Sequence, residues 1–242
     1  IMAYTTIDDP SQYFQADTYT GGQTITFDGN SDLQPDWIWI KARTTAENWR
    51  AFDTSRGVGN GTNQTKGLVI SGAATEESYN IVTSMNSDGV SLNTSDAFLN
   101  SSSHTYLLSA WKANGGTTAS NSNGSITSTV QASTTAGFSI VTYTGNASQG
   151  ATIGHGLGVV PNVVLVKGRS VGDSWTMQHS GIASDFQTDM IKLDENGAAQ
   201  DNSVFWNDTA PTSSVFTVDG SGGEPKVNES GSTYVAYCFA SI

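Results

Sequence analysis

Apolar residues along this chain recur at alternate positions over short runs, and Gly, Asn, Asp and Ser separate the runs. Alternation of this kind predicts β-strands, because successive side chains of an extended backbone point to opposite faces. In the first half the candidates are 24–27 (TITF), 37–43 (WIWIKAR), 48–53 (NWRAFD), 67–71, 78–83 (SYNIVT), 89–93 and 105–113 (TYLLSAWKA). In the second half they are 138–145 (FSIVTYTG), 162–169 (NVVLVKGR), 174–180, 189–194, 203–207 (SVFWN), 215–219 and 233–241 (TYVAYCFAS). No window carries a convincing helical period, although 183–192 (ASDFQTDMIK) has room for a short helical turn. Short β-branched and aromatic runs bounded by turn residues are the pattern of a sandwich or barrel, so the expected class is all-β.

The runs also repeat. TYTG at Thr18–Gly21 returns at Thr142–Gly145, a displacement of 124. The displacement then settles at 126, pairing Pro35 with Pro161, Lys41 with Lys167, Arg43 with Arg169, Trp49 with Trp175 and Tyr79 with Phe205. The final runs, 104–113 and 232–241, stand 128 apart, and two extra residues within SGGEP (221–225) account for the change. Length variation confined to Gly-rich segments is what a structural duplication leaves behind. The expectation is two tandem antiparallel β-sandwich domains. The first is 1–115 with an N-terminal arm, and the second is 116–242 with the Ser/Thr/Asn-rich connector, inside which SITSTVQA (125–132) alternates well enough for an edge strand.

In WIWIKAR the alternation sets Trp37, Trp39, Lys41 and Arg43 on one face against Ile38, Ile40 and Ala42. The matched run sets Val163, Leu165, Lys167 and Arg169 against Val164, Val166 and Gly168. Apolar residues on both faces predict a central strand covered twice, with its cationic end turned to solvent. Two rings beside two cations can stack on a sugar, but the matched strand exchanges both rings for aliphatics. A neighbouring subunit is therefore the better partner, and Trp37, Trp39, Lys41 and Arg43 are the candidate protein-contact face. Trp49 with Trp175 and Tyr106 with Tyr234 read as core anchors. Cys238 aligns with Ala110 and reads as an inert buried thiol.

Composition narrows the function. Charged residues are 13%, about half the usual share, while Ser, Thr, Asn and 26 glycines supply the polarity. A net charge of −12 argues against a nucleic-acid partner. A single cysteine excludes an intrachain disulfide and a cysteine zinc cage. No apolar run approaches the length of a membrane span, so no membrane is expected. His104, His155 and His179 have no metal-ligand neighbours in the sequence, GxSxG is absent, and GHGLG (154–158) precedes no helical run and reads as a tight turn. Asp53, Glu76, Glu77, Asp185 and Asp189 offer carboxylates for a glycosidase pair, but acidic residues are the default surface charge here. The expectation is a protein that is not an enzyme, with no catalytic residue, metal or cofactor.

The ordered set YTG, GLGVVPNVVLVKGR, SW, SVFWNDTAPTSSVFTVDGSG and GSTYVAYCFAS resembles the repeated lectin-like β-module of tailed-bacteriophage virion structural proteins, of the marine and cyanophage kind. The opening MAYTTIDDPSQYFQ is similar to the start of such proteins. The resemblance implies jelly-roll or concanavalin-like sandwiches in a virion protein at the particle surface, assembled in the host cytoplasm. The implied roles are tail fibre or other appendage and capsid decoration. Implied partners are other virion proteins, further copies of the chain (a trimer by family habit) and a host-surface glycan. The competing reading is a free carbohydrate-binding or bacterial surface-layer β-sandwich protein.

Overall fold

The computed structural model describes residues 7–58, 65–94, 96–220 and 227–242. The chain divides into two compact units, Ile1–Ser71 with Glu76–Gly116, and Thr117–Ile242 with Gly72–Thr75. Both are built almost wholly of antiparallel strands. The helical exceptions among the described residues are a 3-10 turn at Pro10–Gln12 and one short helix in the second unit.

The first unit contains β1 (Phe14–Thr20), β2 (Trp37–Ala42), β3 (Arg50–Asp53), β4 (Thr65–Val69), β5 (Glu77–Tyr79), β6 (Val82–Met85), β7 (Val90–Leu92) and β8 (Thr105–Trp111). Its main sheet runs β1-β8-β2-β3-β4-β5, and β6 pairs with β7 in a small second sheet. One face of the main sheet presents Tyr19, Ile38, Ile40, Ala42, Phe52, Tyr106, Leu108 and Ala110 to Ile25, Ile81, Val82, Val90 and Leu92, and together these form the core. Burying each large apolar side chain of such a layer stabilises by about 1.5–3 kcal/mol.

The second unit contains β9 (Ala119–Asn121), β10 (Ser128–Ser133), β11 (Phe138–Thr144), β12 (Ala151–Gly154), β13 (Val163–Gly168), β14 (Thr176–His179), β15 (Asp189–Lys192), β16 (Gln200–Asp201), the helix α1 (Ser203–Trp206), β17 (Val215–Val218) and β18 (Thr233–Phe239). The main sheet runs β16-β15-β14-β13-β18-β11-β10-β9, and β12 pairs with β17. Val141, Tyr143, Val164, Val166, Tyr234, Ala236 and Cys238 pack against Ile153, Phe216, Val218, Val227, Phe205 and Trp206.

From β11 to β16 the order of the second sheet, β11-β18-β13-β14-β15-β16, matches the first sheet strand for strand. Details match as well. Tyr19 stacks on Tyr106 at 5.0 Å and donates to the Leu99 carbonyl at 2.6 Å. Tyr143 stacks on Tyr234 at 5.1 Å and donates to the Val227 carbonyl at 2.7 Å. The second Tyr of each pair accepts a backbone N–H, from Ser101 to Tyr106 and from Glu229 to Tyr234. The TYTG and TY runs thus place two phenols side by side in each core with every hydroxyl bonded, which is what allows them to be buried.

Several sequence expectations change. SVFWN is not a strand: the Asn202 side chain accepts the Val204 N–H to start α1, and Asn207 at φ 50° ends it. This local capping outweighs the β-propensity of the intervening residues. TITF contributes only an isolated bridge, Ile25 to Val90. SYNIVT divides into the end of β5 and the start of β6, on two different sheets. SITSTVQA supplies β10, an interior strand, and the short polar β9 takes the edge. ASDFQTDMIK forms turns and then β15. The SGGEP insertion lies outside the described residues.

Candidate functional site

On the face of the first sheet opposite the core, the register aligns Phe14, Trp111, Trp37 and Asp53 across β1, β8, β2 and β3. The next such row along the strands carries Ala16, Ser109, Trp39 and Ala51. Five rings meet here. Trp37 lies 4.6 Å from Trp111 and 5.0 Å from Trp39, Trp39 lies 5.6 Å from Trp111 and 6.4 Å from Trp49, and Phe14 lies 5.0 Å from Trp111. All five contacts are tilted or edge-on, the geometry that the ring quadrupole favours. Trp37 is 1% exposed, whereas Trp49 and Phe14 keep 37% and 43% of their surface in solvent.

Of the predicted contact face, Trp37 and Trp39 therefore belong to one ring cluster. Trp37 is buried at its centre and Trp39 is half-buried. Lys41 is also half-buried, and its Nζ donates to the Glu47 carbonyl at 2.9 Å, so it does not emerge freely into solvent. Lys167 follows the same pattern more deeply: it is buried, with its Nζ on the Asp173 carbonyl, and burial lowers its pKa to about 8. Desolvation of an ammonium outweighs the nearby carboxylates there. Arg43 is exposed just past the end of β2, where its N–H closes the ladder on the Thr105 carbonyl at 2.8 Å. Trp49 is not the core anchor expected of it, in contrast to Trp175, which is 0% exposed and stacks on Tyr237. Phe14 and Trp111 were missed because their place beside Trp37 depends on β8 lying between β1 and β2, a long-range pairing with no local signal.

Elsewhere several chemistry-bearing groups bind the fold itself. Buried Asp53 accepts the Arg56 backbone N–H and guanidinium, while Arg56 also reaches Glu76 at 3.1 Å. The Arg50 guanidinium lies 4.8 Å from the centre of the Tyr79 ring and 5.8 Å from that of Phe98, a cation–π arrangement. His155 is buried. Its Nδ1 faces the Leu157 N–H at 3.2 Å and its Nε2 faces the Thr212 carbonyl at 3.1 Å. An amide N–H only donates and a carbonyl only accepts, so the ring is the neutral tautomer with its proton on Nε2. Burial lowers the pKa of this histidine. The Cys238 thiol is buried and pushed up to about 12 by desolvation. Among the described residues no group of three His, Cys, Asp or Glu side chains could hold a metal ion.

A family model described as a domain of unknown function, DUF7483, matches residues 9–242. The chain belongs to the DUF7483 family. The DUF7483 match spans both units, so the pair of sheets falls within one family domain. No curated protein and no solved structure matches the chain.

Proposed function

We propose that the chain is a non-enzymatic structural protein of a tailed-bacteriophage virion, built from two copies of one β-module and contributing assembly contacts as an appendage or head-decoration component. The observation that carries this reading is where the reactive side chains spend their bonds. Asp53, Arg56, Lys167 and His155 each bind backbone or one another inside a unit. Beside the charged residues of the surface, three large rings, Phe14, Trp49 and Phe98, are exposed. Such rings suit contact with another protein surface, where aromatic residues are enriched. The sequence resemblance supports the virion setting, and the matched sheet orders support a duplicated module. Host-surface adhesion would be a second use of the same rings, since a flat indole also stacks on a sugar face.

The test is quantitative mass spectrometry of purified particles with immunogold localisation. A fixed number of chains per particle is expected. A chain absent from particles, with binding to purified glycans instead, would replace this reading with the free carbohydrate-binding one.

A further inference from the structure

Among the described residues β1 ends the sheet of the first unit, whereas the matching β11 of the second unit has β10 and then β9 beyond it. The bonds that bracket β1, Gly21 N–H to His104 and Lys112 N–H to Tyr13, show that its odd-numbered residues bond to β8. The backbone groups of Phe14, Ala16, Thr18 and Thr20 therefore point away from the sheet. All four residues are exposed. The Asp17 side chain takes the Thr18 N–H at 2.7 Å. Among the described residues, the N–H groups of Phe14, Ala16 and Thr20 meet no acceptor. On β11 the matching Phe138, Ile140 and Thr142 lie opposite Ser133, Gln131 and Thr129 of β10.

We propose that the free edge of β1 accepts an extended strand from another molecule, taken up antiparallel as β11 takes up β10. A seven-residue edge with open donors is a ready template for strand addition. The second unit shows what fits: β10 reads STVQAS, uncharged, free of proline, with small or β-branched residues at most positions. A second β1 fits less well. The two-fold register that uses all four outward residues sets Asp17 opposite Asp17, in a chain of net charge −12. The partner is thus a neutral or basic strand of β10-like composition. Asp17 acts as a guard that occupies one of the four edge donors. This inference stands apart from the virion reading and survives its failure.

The probe is a synthetic peptide SITSTVQAS, the sequence of residues 125–133, added to the intact chain and followed by amide hydrogen exchange. At free peptide about ten times its Kd, protection of the Phe14, Ala16 and Thr20 amides should rise about tenfold. Asp17→Ala, which releases the Thr18 N–H at an exposed site, should tighten binding about three- to tenfold. Peptide N-methylated at the positions of Thr129, Gln131 and Ser133 should not bind, while methylation at Val130 and Ala132 should be tolerated. Unchanged protection at Phe14 and Ala16 with millimolar peptide overturns the proposal, as does equal binding of the two methylated peptides. Protection of these amides that grows with protein concentration in the absence of peptide would instead identify a second copy as the occupant and overturn the assignment to a foreign strand.

Discussion

Asp36 and Asn162 hold the same place in the two sheets and close the same turn with different chemistry. Each donates its N–H to the end of the neighbouring last strand, Asp36 to Trp111 at 2.8 Å and Asn162 to Phe239 at 2.7 Å. The buried Asp36 carboxylate accepts the N–H groups of Ala113, Gly115 and Gly116 and the Thr54 hydroxyl, all within 3.0 Å. The Asn162 side chain accepts from Ser241 and donates to the Ser180 hydroxyl at 3.1 Å. Asp36→Asn must turn an NH2 toward N–H donors whichever way it is placed, and should cost the first unit about 2–3 kcal/mol. Asn162→Asp should cost less than about 1 kcal/mol, because the Ser180 hydroxyl can rotate to donate. Denaturant unfolding of the two variants checks the asymmetry.

The glycine that closes each TYTG run is set by close approach rather than by dihedral freedom. A Cβ on Gly21 would lie 2.2 Å from the Ser101 carbonyl oxygen, and one on Gly145 would lie 2.3 Å from that of Glu229. Gly21→Ala and Gly145→Ala should each destabilise by about 1–3 kcal/mol through forced backbone movement. The measurement is the unfolding midpoint of each variant.

Stability should depend on His155 below neutral pH. Its folded pKa lies below its ordinary value of 6.5, so the unfolded chain binds the proton more readily. The contribution of His155 is therefore complete above about pH 6.5 and is lost as pH falls toward the folded pKa, at up to about 1.4 kcal/mol per pH unit. Both hydrogen-bond partners of the ring, the Leu157 N–H and the Thr212 carbonyl, are backbone groups that do not titrate. In His155→Asn this part of the pH slope should disappear, as denaturant unfolding at a series of pH values would measure.

The two matched tryptophans should differ in energetic weight. Trp175→Ala removes a fully buried ring and should cost about 3–5 kcal/mol, whereas Trp49→Ala removes one that is 37% exposed and should cost about 1 kcal/mol. Thermal unfolding of the pair decides this.

Cys238 should be silent toward thiol reagents in the folded chain. Its thiol is fully buried and held protonated by desolvation, with a pKa of about 12. Labelling should follow global unfolding, and modification of the native chain faster than its global unfolding allows would contradict this.

The interior strands were the legible part of the fold. PDWIWIKAR and PNVVLVKGR supply β2 and β13 close to the bounds that their alternation implies, and both are flanked by partners on each side. Where a side chain rewrote the local backbone, alternation misled: Asn202 and Asn207 turned SVFWN into a capped helix, and Ile25 found one bridge instead of a strand. The ring cluster was half legible. Trp37 and Trp39 share a face by period alone, but Phe14 and Trp111 join them only through the order β1-β8-β2. Trp49 and Trp175 align in sequence and differ in burial, which no sequence pattern at those positions distinguishes.

The last strand of each unit is inserted between two earlier strands of its sheet, β8 between β1 and β2, and β18 between β11 and β13. On a ribosome, β1 and β2 therefore wait without their common neighbour until residue 111 has left the exit tunnel. Sheet closure then depends on contacts far apart in the chain, which folds slowly and leaves apolar strands open in the interval. A nascent chain stalled before β8 should remain protease-sensitive throughout its first unit, and one stalled well beyond Gly116 should carry a protected first unit while the second is still unformed.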